Sequence, residues 1–248
     1  MENWNLAAPR GWSVHHLTET GSTNDLAKEA GLAGEPGGTV FVADHQTRGR
    51  GRMDRSWLEA PASSLLFSVL FRRDLSPILL TMLCSVAACQ AIEETAGAVP
   101  EIKWPNDLML NGRKLAGVLT EVNWAPDGRF AVVGMGINAN FIPSSVDGIP
   151  STATSLLAET GRAVDRPSLL RAILSRLDVL LRLEDDALEP VVRREWASRL
   201  WKKRQRVTVA DGSTVLEGIF EGVDEDGALL MRLDDGSLLP VRVGDLLI

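Results

Sequence analysis

The 248-residue sequence predicts an α/β fold followed by a small all-β unit. Three observations lead there. Strand-like and helix-like stretches alternate as far as Trp201. The stretch Ser63 to Arg72 carries Leu65, Phe67, Val69 and Phe71 on one face and Leu66 and Leu70 on the other, so it belongs in the middle of a sheet. From Arg206 onward the texture changes to short strands divided by Asp-Gly turns at Asp211, Asp226 and Asp235, a small barrel or sandwich of about 42 residues.

Each element has its own signal. Ser13 to Leu17 reads as a strand, and the polar loop Thr18 to Asn24 enters a helix at about Asp25 that Gly31 stops. Ser22, Thr23 and Asn24 read first as a helix cap, and their hydroxyls and amide would also suit a neutral polar ligand that needs donors and acceptors. Gly38 to Asp44 is a strand that delivers the chain to a basic loop, Gln46 to Trp57. Ser76 and Pro77 open a long apolar helix that Gly97 closes. Glu101 to Asp107 is a strand broken by Pro105, and Asn111-Gly112 marks a tight hairpin that puts Lys114 on a rigid strand. Phe130 to Gly136 is a further strand ending in a glycine-rich turn, Gly134 to Asn138. Residues 140–165 read as an irregular connection. A helix follows behind Asp165 and Pro167, with Leu169, Leu170, Ile173, Leu174, Leu177 and Leu180 at helical spacing, and a second runs from Val191 to Trp201. A terminal unit this small needs support, which Trp196 or Trp201 can offer by docking it on the main domain.

Composition excludes several classes. No apolar run reaches the roughly 20 residues that cross a bilayer, and the N-terminus lacks a signal core, so the protein is expected in the cytoplasm. Cys84 and Cys89 lie in the long apolar helix and read as reduced core thiols. The net charge of −7 resides entirely in Val207 to Ile248, where nine acidic residues face two arginines, while residues 1–206 balance. An acidic tail on a neutral body is a poor nucleic-acid surface. No Walker loop, dinucleotide fingerprint or nucleophile elbow occurs, and His15, His16 and His45 form no metal cluster.

The chemistry concentrates in the basic loop. Arg48, Arg50, Arg52 and Arg55 alternate with Gly49 and Gly51, so the backbone can approach a ligand closely while planar guanidinium forks meet carboxylate or phosphate oxygens. On its own such a loop also reads as a solvated patch. Together with Lys114, the Asn106-Asp107 corner and the glycine turn it describes a place for a polyphosphate and a second anion, and cation-assisted nucleotidyl transfer is the chemistry left.

Gly49-Arg-Gly-Arg52 with Arg55 and Trp57, Lys103-Trp-Pro-Asn-Asp107, Lys114-Leu-Ala-Gly117 and Gly134-Met-Gly-Ile-Asn138, in this order, resemble the biotin protein ligases from about Ser13 to the C-terminus. The resemblance implies a catalytic domain, residues 1–204, related to class II aminoacyl-tRNA synthetases with a mixed sheet, and an SH3-like barrel, residues 205–248. No DNA-binding domain precedes residue 13, which points to the monofunctional type and to no DNA partner. It implies biotin and ATP as substrates, with Mg2+ held mainly by the ATP phosphates, and transfer through biotinyl-5'-AMP to a lysine of the biotin carboxyl carrier domain of a carboxylase. Lys114 would stand between carboxylate and α-phosphate, with Arg52 and Asp107 as its catalytic companions. Ser22, Thr23, Asn24, Gln46, Arg50, Gly51, Arg52, Lys114 and Gly117 would bind biotin. Gly49, Arg50, Arg52, Arg55, Trp57, Asn106, Asp107, Lys114 and Asn138 would bind ATP or the adenylate. Met53-Asp54 departs from relatives that carry more Arg or Gly there and lowers the loop's charge. The loop also takes part in homodimer contacts in the family, and the sequence does not establish a dimer here. A lipoyl ligase, a biotin sensor without catalysis and a nucleic-acid binder are the rival readings.

Overall fold

Two sheets organise the chain. The structure, a computed structural model, describes residues 2, 4, 8–53, 55–59, 61–212 and 214–247. Its first part runs β1 (Ser13–Thr20), α1 (Thr23–Leu32), β2 (Thr39–Gln46), β3 (Ser64–Phe71), α2 (Pro77–Ala96), β4 (Glu101–Lys103), β5 (Asp107–Leu110), β6 (Arg113–Ala125) and β7 (Gly128–Asn138). Then come three helices, α3 (Leu156–Thr160), α4 (Arg166–Leu181) and α5 (Asp185–Ser198). The last part is β8 (Arg206–Asp211), β9 (Thr214–Val223), β10 (Leu229–Arg232), β11 (Leu238–Val241) and β12 (Asp245–Leu246).

The large sheet has the order β1-β2-β3-β7-β6-β5-β4. It is mixed: β1 pairs parallel to β2 across α1, and every other neighbour is antiparallel. β3 is central and buried along its whole length, as its two apolar faces require. The small sheet, β11-β10-β9-β8-β12, is antiparallel; the Asp-Gly pairs at 226 and 235 fall in its connections, and Asp211 ends β8 with Gly212 just beyond it.

α2 is the core helix. Ser76 accepts from the Leu79 N–H at its start, and Gly97, at φ 65°, ends it in the left-handed conformation. By length and composition alone it would pass for a bilayer span, but 67% of that stretch is buried inside the fold, as befits a core helix. Each Leu side chain so buried contributes on the order of 1.5–3 kcal/mol. Cys84 and Cys89 sit within it as free thiols, and burial pushes Cys89 up to about 12 and Cys84 further in the same direction.

One apolar cluster continues from this core into the small sheet, joining Trp104, Trp196 and Trp201 with Val209, Phe220, Met231 and Leu246. Backbone bonds reinforce the join: the Ile102 N–H donates to Arg199, and the Trp201 N–H donates back to Ile102.

Four local readings need correction. α1 passes Gly31 and ends at Leu32, because Gly31 is used for contact: a Cβ there would lie 2.3 Å from the Phe130 ring. α5 starts before Pro190 and ends before Trp201, since residues 199–201 leave the helix to pair with Ile102 and Lys202 and Arg204 turn at positive φ. Residues 140–165 include α3, capped by Ser155 and closed by Gly161. The Gly134 to Asn138 stretch is no turn: β7 runs straight through it.

Candidate active site

The Asn111-Gly112 hairpin forms as expected, with φ of 50° and 75°, and sets Lys114 on β6 just past the turn. The segment behind it fixes Lys114 further. Its N–H donates to Thr152 and its carbonyl accepts from Thr154, 2.8 Å each. Lys114 Nζ lies 2.8 Å from Asp107 Oδ1, and Lys103 Nζ lies 3.8 Å from the other carboxylate oxygen. Asp107 therefore stands between two ammonium groups. Burial pushes the Lys103 pKa down, against the opposing pull of Asp107.

A cleft of about 260 Å³ opens beside this pair. At one end the start of α1 supplies Ser22, Thr23 and Asn24, all buried. Ser22 occupies the cap position without forming a side-chain cap bond, so its hydroxyl is not spent on the helix. Gln46 Oε1, at the end of β2, accepts from both the N–H and the hydroxyl of Thr23, at 2.7 and 3.0 Å. Ser68 of β3 lies 2.7 Å from Thr23 Oγ1 and 2.6 Å from Asn24 Oδ1, while Asn24 Nδ2 donates to Glu121 at 2.5 Å. This is a locked polar network suited to a neutral group with both donors and acceptors.

The floor explains the glycines of β7. A Cβ on Gly134 would lie 2.1 Å from Asn24 Oδ1, and one on Gly136 would lie 2.5 Å from the Trp57 ring. Both side chains rest directly on the strand, and Gly117 of β6 leaves room for the same indole. Lys114 Nζ is 5.7 Å from the Trp57 ring centroid.

The arginine loop closes the other end and is more ordered than its glycines suggest. Gly51 N–H donates to Arg55, Trp57 N–H donates to Gly49, and Arg50 pairs with Ser56, folding the loop back on itself. Arg50 grips Asp25 through two bonds of 3.0 and 2.8 Å; that hydrogen bonding lowers the Asp25 pKa and raises that of Arg50. Arg52 donates to Asn106 at 3.1 Å and to Asp245 of β12 at 3.3 Å. Asn106 is itself fixed by exchanging bonds with the Val118 backbone. Met53 is half exposed, and Asp54 lies outside the described residues.

Of the residues singled out from sequence, Ser22, Thr23, Asn24, Gln46, Arg50, Gly51, Arg52, Arg55, Trp57, Asn106, Asp107, Lys114 and Gly117 line this cleft together. Gly49 and Asn138 do not. Gly49 packs against Trp57, and buried Asn138 donates to Thr154, whose N–H in turn holds the Lys114 carbonyl. Sequence reasoning missed Gly134 and Gly136 as floor, although their alternation in β7 was legible, and missed Ser68, Glu121 and Asp245. Nothing in an acidic tail marks one aspartate as part of a cleft.

No group of three or more His, Cys, Asp or Glu side chains among the described residues could hold a metal ion. The cleft carboxylates already face Arg or Lys, so this donor set does not fit a protein-held Mg2+.

A neutral polar recess, a fixed ammonium and an arginine loop in one cleft suit the joining of a carboxylate to a nucleotide. Residues 17–138 match the Biotin/lipoate A/B protein ligase family, and residues 205–246 match the Biotin protein ligase C terminal domain. The biotin--[acetyl-CoA-carboxylase] ligase of Mycobacterium tuberculosis is 32% identical over 97% of this chain and 91% of its own length. The chain belongs to the biotin protein ligase family. The bifunctional ligase/repressor BirA of Bacillus subtilis is 34% identical to this ligase over 87% of the chain and 68% of that protein. The structure of biotin protein ligase from Aquifex aeolicus in complex with biotin and ATP superposes on it with a TM-score of 0.77 at 28% identity, covering 94% and 97% of the two chains. The ligase thus has the mixed-sheet catalytic fold and terminal antiparallel barrel that its sequence implied.

Proposed function

We propose that this ligase activates biotin with ATP and passes the biotinyl group to a lysine on the carrier domain of a biotin-dependent carboxylase. One observation carries the reading: Lys114 Nζ, held at 2.8 Å by Asp107, stands in the same cleft as the Thr23-Asn24-Gln46 network and the arginine loop. In the first step a biotin carboxylate oxygen attacks the α-phosphorus of ATP, and pyrophosphate leaves with both bridging electrons. Two anions must meet, and a cation about 4 Å away is worth roughly 4 kcal/mol at an effective dielectric of 20. Lys114 supplies that cation, and Arg50, Arg52 and Arg55 hold the phosphates. The polar network reads the neutral ring of biotin, and Trp57 flanks the adenylate. In the second step the neutral amine of the acceptor lysine attacks the acyl carbon, AMP leaves, and Asp107 and Asn106 orient the amine as it gives up its proton.

The same reading takes residues 1–204 as the catalytic domain and 205–248 as the barrel domain. Cys84 and Cys89, both free, suit a cytoplasmic protein. Neither DNA nor membrane enters the proposed partners, and size-exclusion chromatography decides whether a second copy does.

Isothermal titration with biotin, then with ATP and magnesium, tests the reading, with mass spectrometry of what stays bound. Bound biotinyl-5'-AMP is the expected result. Binding of lipoate in place of biotin would transfer the chemistry to a different acyl group, and biotin without adenylate would leave a sensor.

A further inference from the structure

Gln46 is held from both ends. Its side-chain Oε1 accepts from the N–H and the hydroxyl of Thr23. Its backbone N–H donates to Glu59 Oε1 at 2.8 Å, and the same oxygen lies 2.9 Å from His45 Nδ1. Glu59 sits two residues past Trp57, in the segment that leaves the arginine loop, and stands behind the cleft rather than in its lining. We propose that Glu59 is a positioning residue for biotin: by holding the end of β2 it aims the Gln46 side chain at the ligand. This rests on the reading of the Thr23-Asn24-Gln46 network as the biotin recess.

Holding the fold together does not explain a carboxyl at this place. The Glu59 side chain is 4% exposed, and its Oε2 is buried with no hydrogen-bond partner among the described residues. An orphan oxygen on a buried carboxyl works against stability. What the carboxyl does provide is one of several ties on the same strand end. Arg166, 3% exposed, donates to Asp44 at 2.8 Å and to the Ser64 carbonyl at 2.9 Å, and the Ala62 N–H donates to the Asp44 carbonyl. Residues 44–46 are thus clamped between residues 59–64 and the start of α4. With Oε1 engaged by Thr23, Gln46 has its Nε2 donors left to offer to whatever enters the cleft. Such a donor is useful only while the backbone beneath it stays within about 0.5 Å of the productive position. Glu59 supplies that constraint where Gln46 leaves the sheet.

Biotin-dependent pyrophosphate exchange on the intact chain tests the assignment. Glu59→Met fills the space without an acceptor, and it should raise KM for biotin about ten-fold while kcat and KM for ATP stay within about two-fold. Glu59→Gln keeps an acceptor oxygen and should bring KM for biotin back to within about three-fold of wild type. Thermal melts confirm that each variant folds. Should Glu59→Met melt below the assay temperature, Glu59→Asp, whose carboxyl falls short by one methylene, takes its place with the same expected split. Once Gln46→Ala has raised KM for biotin, adding the Glu59 substitution should raise it by less than about two-fold more, because the side chain that Glu59 aims is gone. Full addition of the two effects would overturn the proposal, as would a fall in kcat with KM for biotin unchanged. Biotin-dependent exchange that no Glu59 variant alters would overturn this inference alone, whereas a wild type without biotin-dependent exchange would overturn the reading of the recess and this inference with it.

Discussion

Asp245, close to the C-terminus, receives Arg55 of the arginine loop at 2.6 Å, and the same carboxylate lies 3.3 Å from Arg52. A strand of the small sheet therefore holds a loop of the catalytic cleft. Arg55 is largely exposed, so the pair should add under about 1 kcal/mol to stability. Its larger effect is on the loop. Asp245→Asn should release bound biotinyl-adenylate several-fold faster, with a melting temperature close to wild type. Dilution of the loaded enzyme, followed by mass spectrometry of the released adenylate, gives the rate; an unchanged rate would show that the tether does not hold the lid.

Lys114→Ala removes the ammonium beside Asp107. If it acts on developing charge, adenylate formation should fall by roughly 10²–10³, or about 2.7–4 kcal/mol, while the partly exposed side chain costs the fold little. Pyrophosphate exchange into ATP measures the first step alone. Turnover within a factor of two of wild type would take Lys114 out of the mechanism.

Gly134→Ala tests the cleft floor. The added Cβ meets Asn24 Oδ1 at 2.1 Å, so Asn24 must swing away from both Ser68 and Glu121. Losing two hydrogen bonds of a buried network at roughly 1 kcal/mol each should weaken biotin about ten-fold or more. Titration calorimetry would count against this network if affinity were kept.

Glu59 makes folding depend on pH. Burial raises its pKa above the ordinary carboxylate value, although the Gln46 N–H at 2.8 Å and His45 at 2.9 Å both favour the charged form. A raised carboxylate favours the folded state fully while both states hold the proton. That contribution is lost as pH climbs from the unfolded pKa through the folded one. Glu59→Gln should therefore gain melting temperature relative to wild type as pH rises across that window. A difference between the two proteins that stays constant with pH would exclude Glu59 as the source.

Most of the cleft was legible because its residues come from short runs where composition is unusual: the arginine-glycine loop, the Ser22 to Asn24 entrance, the hairpin that carries Lys114. The central strand and core helix were equally plain, since hydrophobic periodicity reports burial directly. What escaped depends on pairing between distant segments. Gly134 and Gly136 read as a turn because glycine signals permissive backbone, whereas in β7 it signals close approach by Asn24 and Trp57. Asn138 looked like a ligand residue by motif, and its amide instead ties the connection that braces Lys114. Asp245 became visible only once β12 lay beside the loop.

Each of the four cations that line the cleft faces a carboxylate of the protein: Arg50 with Asp25, Arg52 and Arg55 with Asp245, Lys114 with Asp107. Opposite charges so close cancel beyond a few ångströms, leaving little field to draw anions from bulk solution. The cleft should then ignore free polyphosphate and nucleic acid, and its affinity for ATP should change little with ionic strength. Selectivity among anions comes to rest on shape at contact rather than on attraction at a distance.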